Sequence, residues 1–177
     1  MKRFLARTSL ALMLAALAFV NATAVHAQPA RPLTIDDLLK VRRVGDPQLS
    51  PDGRQIAYTI SDPDKTANRS RTQIYLISVS GGEPKQLTSG AASAAAPRWS
   101  PDGKRLAYTT GGQIHVMDVA SGQSKQVTNI STGAGDPVWS PDGKLIAFVS
   151  DIYPDCADDA CNQKRDAAME EGKVKAK

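Results

Sequence analysis

The chain has 177 residues, with 22 Lys and Arg against 18 Asp and Glu and a formal net charge of +4. This length suits about one domain, at roughly 100 to 200 residues per domain. Lys2, Arg3 and Arg7 precede every acidic residue, so residues 28–177 carry a net charge of only +1. That balance gives no electrostatic basis for binding nucleic acid or an anionic membrane surface, and we expect neither as a partner.

Residues 1–27 have the layout of a secretory signal peptide. A basic start is followed by an apolar run from Leu10 to Val20 and by a small-residue site that ends at Ala27. The run is shorter than the 20 or so apolar residues that span a membrane. We therefore expect export to the periplasm or the cell exterior, cleavage before Gln28, and no membrane association of the mature chain.

Residues 28–46 read as a lead-in to the folded region. Thr34 is suited to cap a short helix over Ile35–Leu39, because Asp36 and Asp37 then lie at the positive end of the helix dipole. Short apolar runs separated by Gly, Pro, Asp and Ser follow, and this pattern predicts an all-β region over residues 47–154.

A ten-residue stretch occurs three times, as LSPDGRQIAY at 49–58, WSPDGKRLAY at 99–108 and WSPDGKLIAF at 139–148. The underlying unit has about 40 residues. The first unit is longer, and its extra residues, the surplus, fall within residues 61–72, which we interpret as a solvated loop. A period of about 40 residues is that of a β-propeller blade. The sequence predicts a partial β-propeller of about two to three four-stranded blades. A β-sandwich is the alternative fold, but it does not predict a constant register between successive units.

Within each repeat the turn residues have a structural explanation. Proline presets φ, aspartate hydrogen-bonds its own backbone, and glycine accepts a positive φ. We therefore assign Trp99 and Trp139 to the blade core, and expect the small Ala107 to let the next sheet approach closely. The three aspartates are assigned to these turns rather than to a ring of carboxylate ligands. The turn residues are Asp52, Gly53, Asp102, Gly103, Asp142 and Gly143.

Residues 155–177 form a charged arm that contains both cysteines. In an oxidising compartment Cys156 and Cys161 are expected to close a small loop by a disulfide, at the base of a helical hairpin over Cys161–Glu171. A zinc site is disfavoured, since one cysteine pair without a neighbouring histidine lacks the four ligands of a structural site. We expect no metal and no cofactor.

The repeats resemble those of two exported groups. One is the TolB-type periplasmic propeller, and the other is the N-terminal propeller of the prolyl oligopeptidase family, in its dipeptidyl-aminopeptidase and acylaminoacyl-peptidase branch. The opening segment 33–53 and the cysteine-bearing segment 148–162 resemble the peptidase branch. This resemblance implies a propeller joined to an α/β-hydrolase domain that carries a Ser, Asp and His triad. The propeller would restrict access to the triad to short peptides.

No catalytic residue is expected in this chain. The nucleophile motif G-x-S-x-G does not occur, and His115 stands in a repeat strand at the position of Tyr75. We interpret the chain as the N-terminal propeller part of an exported serine peptidase, truncated before its catalytic domain and inactive alone. The alternative is a noncatalytic propeller that binds an envelope protein partner.

Overall fold

The structure is a computed structural model that describes residues 31–173. The predicted signal peptide and the first residues of the lead-in lie outside the described residues. The chain divides into two units, Met1–Thr34 and Ile35–Lys177, and the second unit contains every strand of the described part.

The strands form three antiparallel sheets in chain order. A short helix α1 (Ile35–Leu38) precedes them, and a longer helix α2 (Asp159–Lys173) follows them. The first sheet has the order β1-β2-β3-β4, the second β5-β6-β7-β8, and the third pairs β9 with β10. The strands are β1 Arg43–Leu49, β2 Gln55–Asp64, β3 Arg69–Ser78, β4 Lys85–Gln86, β5 Ala94–Trp99, β6 Arg105–Thr110, β7 Gln113–Asp118, β8 Ser124–Gln126, β9 Gly135–Trp139 and β10 Ile146–Val149. The prediction of an all-β, propeller-like fold is confirmed.

The surplus of the first repeat is a paired hairpin, so its interpretation as a loop was wrong. β2 and β3 stay in register out to the pair Asp64↔Arg69, and we call residues 61–72 the hairpin extension. Opposite charges face each other across it, as at Asp62↔Arg71, and such cross-strand pairs stabilise a ladder. Pro63 lies beyond the last residue of β2 that pairs with β1, so its missing N–H removes no bond to that strand.

Neighbouring sheets approach closely because each presents an alanine to the next one. Ala57 and Ala107 are 0% exposed. Ala57 packs with Leu106 of the second sheet, and Ala107 packs near Trp139 of the third. Ala147 occupies the same repeat position in the third sheet and is exposed. The alanine face is therefore the face that the first and second sheets turn toward the sheet that follows.

The two tryptophans tie each sheet to the one before it. Trp99 Nε1 donates to the Gln48 carbonyl at 2.9 Å, and Trp139 Nε1 donates to the Arg98 carbonyl at 3.0 Å. The two acceptors hold the same position in successive repeats. Each indole thus combines apolar contact with a hydrogen bond that satisfies its only donor.

The arm contains one helix rather than the expected helical hairpin. α2 begins at Asp159 because the Asp158 carboxylate caps the Cys161 N–H at 2.8 Å, and it continues through Cys161 to Lys173 without a break. The Asp159 carboxylate accepts the Ser131 hydroxyl at 2.7 Å, which holds the base of the helix against the loop after β8. Across residues 31–173, no helix has the length and apolar character needed to cross a membrane.

The buried alanine gives a test of the sheet packing. Ala107→Val should lower the free energy of unfolding by about 1–3 kcal/mol, because the added methyl groups meet the third sheet. Ala147→Val is the matched control at the exposed position, where the change should stay within about 0.5 kcal/mol. Urea unfolding of both variants measures the difference. Equal effects would contradict this stacking.

Candidate functional site

The three repeat turns are bonded alike, and each aspartate is used inside its own turn. The serine Oγ donates to the aspartate Oδ1 at 2.5–2.6 Å, and the same oxygen accepts the backbone N–H two residues later at 3.1 Å. The glycine that follows has φ of 67–71°, a region that disfavours side chains. The residues are Ser50, Asp52 and Gly53; Ser100, Asp102 and Gly103; and Ser140, Asp142 and Gly143.

These bonds also set the protonation of the carboxylates. The hydrogen bond from the serine hydroxyl is the main cause, and the bond from the backbone N–H is the second, of a lowered carboxylate pKa. The effect holds for Asp52, Asp102 and Asp142. The carboxylates are therefore charged acceptors near neutral pH with their bonds directed into the turn. Within residues 31–173 no group of three or more His, Cys, Asp and Glu is placed to hold a metal ion.

His115 lies in β7, beside the ring of Tyr108 at a centroid distance of 5.7 Å. The first sheet has the pair Tyr58 and Tyr75 at the same positions, with centroids 6.0 Å apart. Burial lowers the pKa of His115, so the imidazole is kept neutral by its surroundings. The geometry is that of an aromatic cross-strand pair.

Cys156 and Cys161 form a disulfide with their Cα atoms 5.3 Å apart. The bridge closes the turn that leads into α2. Next to it, the buried Asn162 accepts the Tyr153 N–H at 3.1 Å, and the Tyr153 hydroxyl donates to Asp166 at 2.7 Å. These contacts all order the start of the arm.

A polar cavity of about 440 Å³ opens beside the hairpin extension, and we call it the hairpin pocket. It lies where β2 and β3 run past the paired part of β1, so its walls come from the surplus of the first repeat and from the neighbouring strands. The second sheet has only the turn Gly111-Gly112 at this position. The lining residues are Asp62, Pro63, Asp64, Lys65, Arg71, Gln73, Tyr75, Gln86 and Gly90.

Two ion pairs border the hairpin pocket. Arg42 donates to both Asp62 carboxylate oxygens, at 2.5 and 3.0 Å, and its guanidinium carbon lies 6.0 Å from the ring centroid of Tyr75. The hydrogen bonds that Arg42 donates to Asp62 and then to the Tyr75 hydroxyl raise the pKa of Arg42. Arg71 Nη2 donates to Asp64 at 3.1 Å, while its buried Nε has no hydrogen-bond partner among the described residues.

The hairpin pocket can bind but has no catalytic arrangement in its lining. It offers two carboxylates, a guanidinium and a phenol, and these groups match the amides and charged termini of peptides. A nucleophile paired with a general base, which covalent hydrolysis requires, is not among its lining residues.

A second groove, of about 560 Å³, runs between the lead-in and the hairpin extension. Leu38, Leu39 and Val41 form its apolar side, and Arg43 and Arg69 are on its basic side. Lys65 reaches across to Asp36 at 2.5 Å. The lead-in and the extension are thereby joined on one flank of the hairpin pocket.

Sequence reasoning missed a glutamine–threonine clasp that closes each complete sheet. Thr88 Oγ1 donates to Gln73 at 2.7 Å, and Thr128 Oγ1 donates to Gln113 at 2.8 Å. Each threonine oxygen also accepts the N–H of the residue after its glutamine, at 2.9 and 2.8 Å. The constant separation of 15 residues was the signal that could have found it. Arg42 had no such signal, because its partner Asp62 is 20 residues away.

Comparisons with known proteins agree with this architecture. The family described as TolB beta propeller domain matches residues 40–154. Among solved structures, TolB from Acinetobacter baumannii superposes with a TM-score of 0.52 at 31% identity, over 62% of this chain and 27% of that one. An acylaminoacyl peptidase from Pyrococcus horikoshii gives a TM-score of 0.57 at 24% identity, over 68% of this chain and 19% of that one. The latter likeness concerns the fold alone.

Similar curated proteins are peptidases. Dipeptidyl-peptidase 5 of Porphyromonas endodontalis is 41% identical over 78 residues, or 44% of this chain. Dipeptidyl-peptidase 5 of Porphyromonas gingivalis is 34% identical over 76 residues, or 43% of this chain. In both cases the match spans 11% of the relative's length.

The neutral state of His115 predicts a pH dependence. The pKa of His115 is lower in the folded chain, so the unfolded chain binds the proton more readily. The neutral imidazole therefore contributes to stability fully when the pH is above the unfolded pKa of about 6.5. This contribution is lost as the pH falls below that value. When the pH is lowered from about 7.5 to about 5.5, the free energy of unfolding should fall less for His115→Tyr, which copies Tyr75, than for the native chain. Urea unfolding at both pH values tests this, and equal losses would contradict it.

Proposed function

Because the chain belongs to the TolB beta propeller domain family, we propose that it is the propeller portion of an exported serine-type peptidase that acts on short peptides. The observation that carries the proposal is the 41% identity to dipeptidyl-peptidase 5 across 78 residues. The catalytic serine, aspartate and histidine would lie in another part of the peptidase. The propeller's role is to restrict which peptides reach them.

The hairpin extension is the element best suited to this restriction. It projects past Arg43, the first residue of β1 that pairs with β2, at the end of the sheet where the lead-in also arrives. Its tip carries charges of both signs, with Asp64, Lys65 and Arg69 close together in sequence. A rigid, paired projection excludes bulky chains better than a loose loop, because its ladder and ion pairs resist displacement.

The hairpin pocket gives the extension a binding role as well. Arg71 Nε is buried and has no hydrogen-bond partner in the described part of the chain, so it is a donor suited to a peptide carbonyl or carboxylate, since a buried donor gains most from an acceptor. The polar lining favours extended backbone over a particular side chain. We therefore infer that selection by the propeller depends on peptide size more than on sequence.

A second candidate function has its own support. The 31% identity to the Acinetobacter baumannii TolB over 62% of this chain favours a noncatalytic propeller that binds an envelope protein. In that case the extension and the groove at Leu38 and Leu39 would contact a folded protein. Recovery of one stoichiometric partner from an envelope fraction, without peptidase activity in the purified protein, would favour this candidate.

The test uses protein produced from the whole gene that encodes these residues. In the variant, residues 61–72 are replaced by Gly-Gly, which copies the turn at Gly111-Gly112. Hydrolysis of a fluorogenic dipeptidyl amide should be unchanged, whereas hydrolysis of an unfolded polypeptide should rise severalfold, because the excluding element is gone. Kinetics on both substrates measure the ratio.

Two results would count against the proposal in different ways. Absence of serine-reagent-sensitive hydrolysis by the native protein would remove the peptidase assignment. A variant whose ratio of long to short substrate is unchanged would remove the gating role and leave the peptidase assignment standing. Arg71→Lys separates the binding role from exclusion, since it keeps the extension and one charge but removes Nε as a donor; it should leave the ratio of long to short substrate as in the native protein.

A further inference from the structure

The groove between the lead-in and the hairpin extension combines an apolar side with an excess of positive charge. Its volume of about 560 Å³ lies within the range of about 300–1,000 Å³ that is usual for sites that bind small ligands. We call it the lead-in groove. Its defining residues are Leu38, Leu39, Val41, Arg43, Asn68 and Arg69.

The apolar side of the lead-in groove lies open to water. Leu38 and Val41 are 64% and 54% exposed, and α1, which contains Leu38, has no buried residue. Apolar side chains that lie side by side in this way gain free energy when a ligand removes them from water. A ligand that fits the lead-in groove therefore carries an apolar group.

The carboxylates next to the lead-in groove already have cationic partners. Lys65 Nζ lies 2.5 Å from the Asp36 carboxylate, and the Asp64 carboxylate accepts Arg71 Nη2 at 3.1 Å. Asp64 also accepts the Ala67 N–H at 3.0 Å. These two carboxylates are thereby engaged, and neither forms an ion pair with the remaining cations of the groove.

Arg43 and Arg69 are those remaining cations. Arg43 is the first residue of β1 and Arg69 is the first residue of β3, so they begin the two strands that flank β2. Within residues 31–173 neither guanidinium forms an ion pair, and Arg69 Nη2 donates to the Ala91 carbonyl at 3.5 Å. A guanidinium without a carboxylate partner is well suited to a bound carboxylate, because its planar donors match the two carboxylate oxygens.

We propose that the lead-in groove binds the C-terminal residue of a peptide that ends in a free carboxylate and an apolar side chain. The carboxylate would accept from Arg43, with Arg69 as the second cation, and the apolar side chain would cover Leu38 and Val41. This inference rests on the proposed peptidase function for its source of peptides. It adds which end of the peptide the propeller holds.

The polar part of the lining favours a peptide over another amphiphilic anion such as a fatty acid. Asn68 and Ser70 line the same groove, and an amide and a hydroxyl side chain can donate to and accept from the backbone amides of a peptide. An alkyl chain offers these side chains no hydrogen bond and displaces water from them, which costs free energy.

The test measures binding to the protein produced from the whole gene, after treatment with a serine-directed reagent so that no probe is cut. The probe is the peptide Gly-Gly-Ala-Leu with a fluorophore on its N-terminus, and the matched control is the same peptide with a C-terminal amide. Fluorescence anisotropy should show about tenfold tighter binding of the free acid, because hydrogen bonds to a charged group are the stronger ones.

Substitutions in the lead-in groove identify the carboxylate contact. Arg43→Gln should weaken binding of the free acid about tenfold and leave binding of the amide unchanged, since the amide makes no ion pair with Arg43. Leu38→Ser should weaken both peptides alike, because they share the same last side chain. Arg54→Gln makes the same charge change at an exposed residue of the turn between β1 and β2, and it should alter neither affinity.

The outcomes separate this inference from the proposed function. Equal affinity for acid and amide would overturn the inference, as would failure of both peptides to bind or an Arg43→Gln variant that weakens both equally. Displacement of the probe by dodecanoate at the peptide's own concentration would overturn it in favour of a fatty acid. Absence of serine-reagent-sensitive hydrolysis counts against the proposed function alone, since the binding measurement does not need activity.

Discussion

The close contact between successive sheets is the constraint on which the rest of this structure depends. A sheet buried on both faces needs a small residue where its neighbour approaches, and Ala57 and Ala107 meet that need. The tryptophan of the incoming sheet then spans the gap and uses its only donor on the preceding inner strand. The Ser-Pro-Asp-Gly turn must place the alanine and the tryptophan in register, and this requirement sets the remaining spacing within the repeat.

Function on such a scaffold depends on what departs from the repeat. The turns and the glutamine–threonine clasps are bonded within their own sheets, and the tryptophans join neighbouring sheets, so their polar groups already have partners. The hairpin extension is different, because it adds a paired projection with charged residues of both signs to one sheet. The hairpin pocket beside it combines groups from the extension and from the neighbouring strands, and we regard it as the part of the described chain best suited to selecting a peptide.

Much of the fold could be predicted because the signals were local or periodic. Three copies of the turn showed the unit, and their spacing located the surplus at residues 61–72. The pairing of that surplus could not be predicted in the same way: Asp62 and Asp64 read as solvated charges until their partners Arg42 and Arg71 are known. α2 begins at the cap that Asp158 supplies, and it is a single helix where the sequence predicted a helical hairpin.

The sequence by itself determined the all-β class, the length of the repeating unit and the chemistry of the turns, because each of these depends on residues close together in the chain. Only the tertiary structure decided that the surplus is a hairpin and that Arg98 reaches Asp46 across 52 residues. It also decided that Ala147 is uncovered where Ala57 and Ala107 are buried. Such facts depend on which sheet stands next to which, and no local pattern of side chains encodes that neighbourhood.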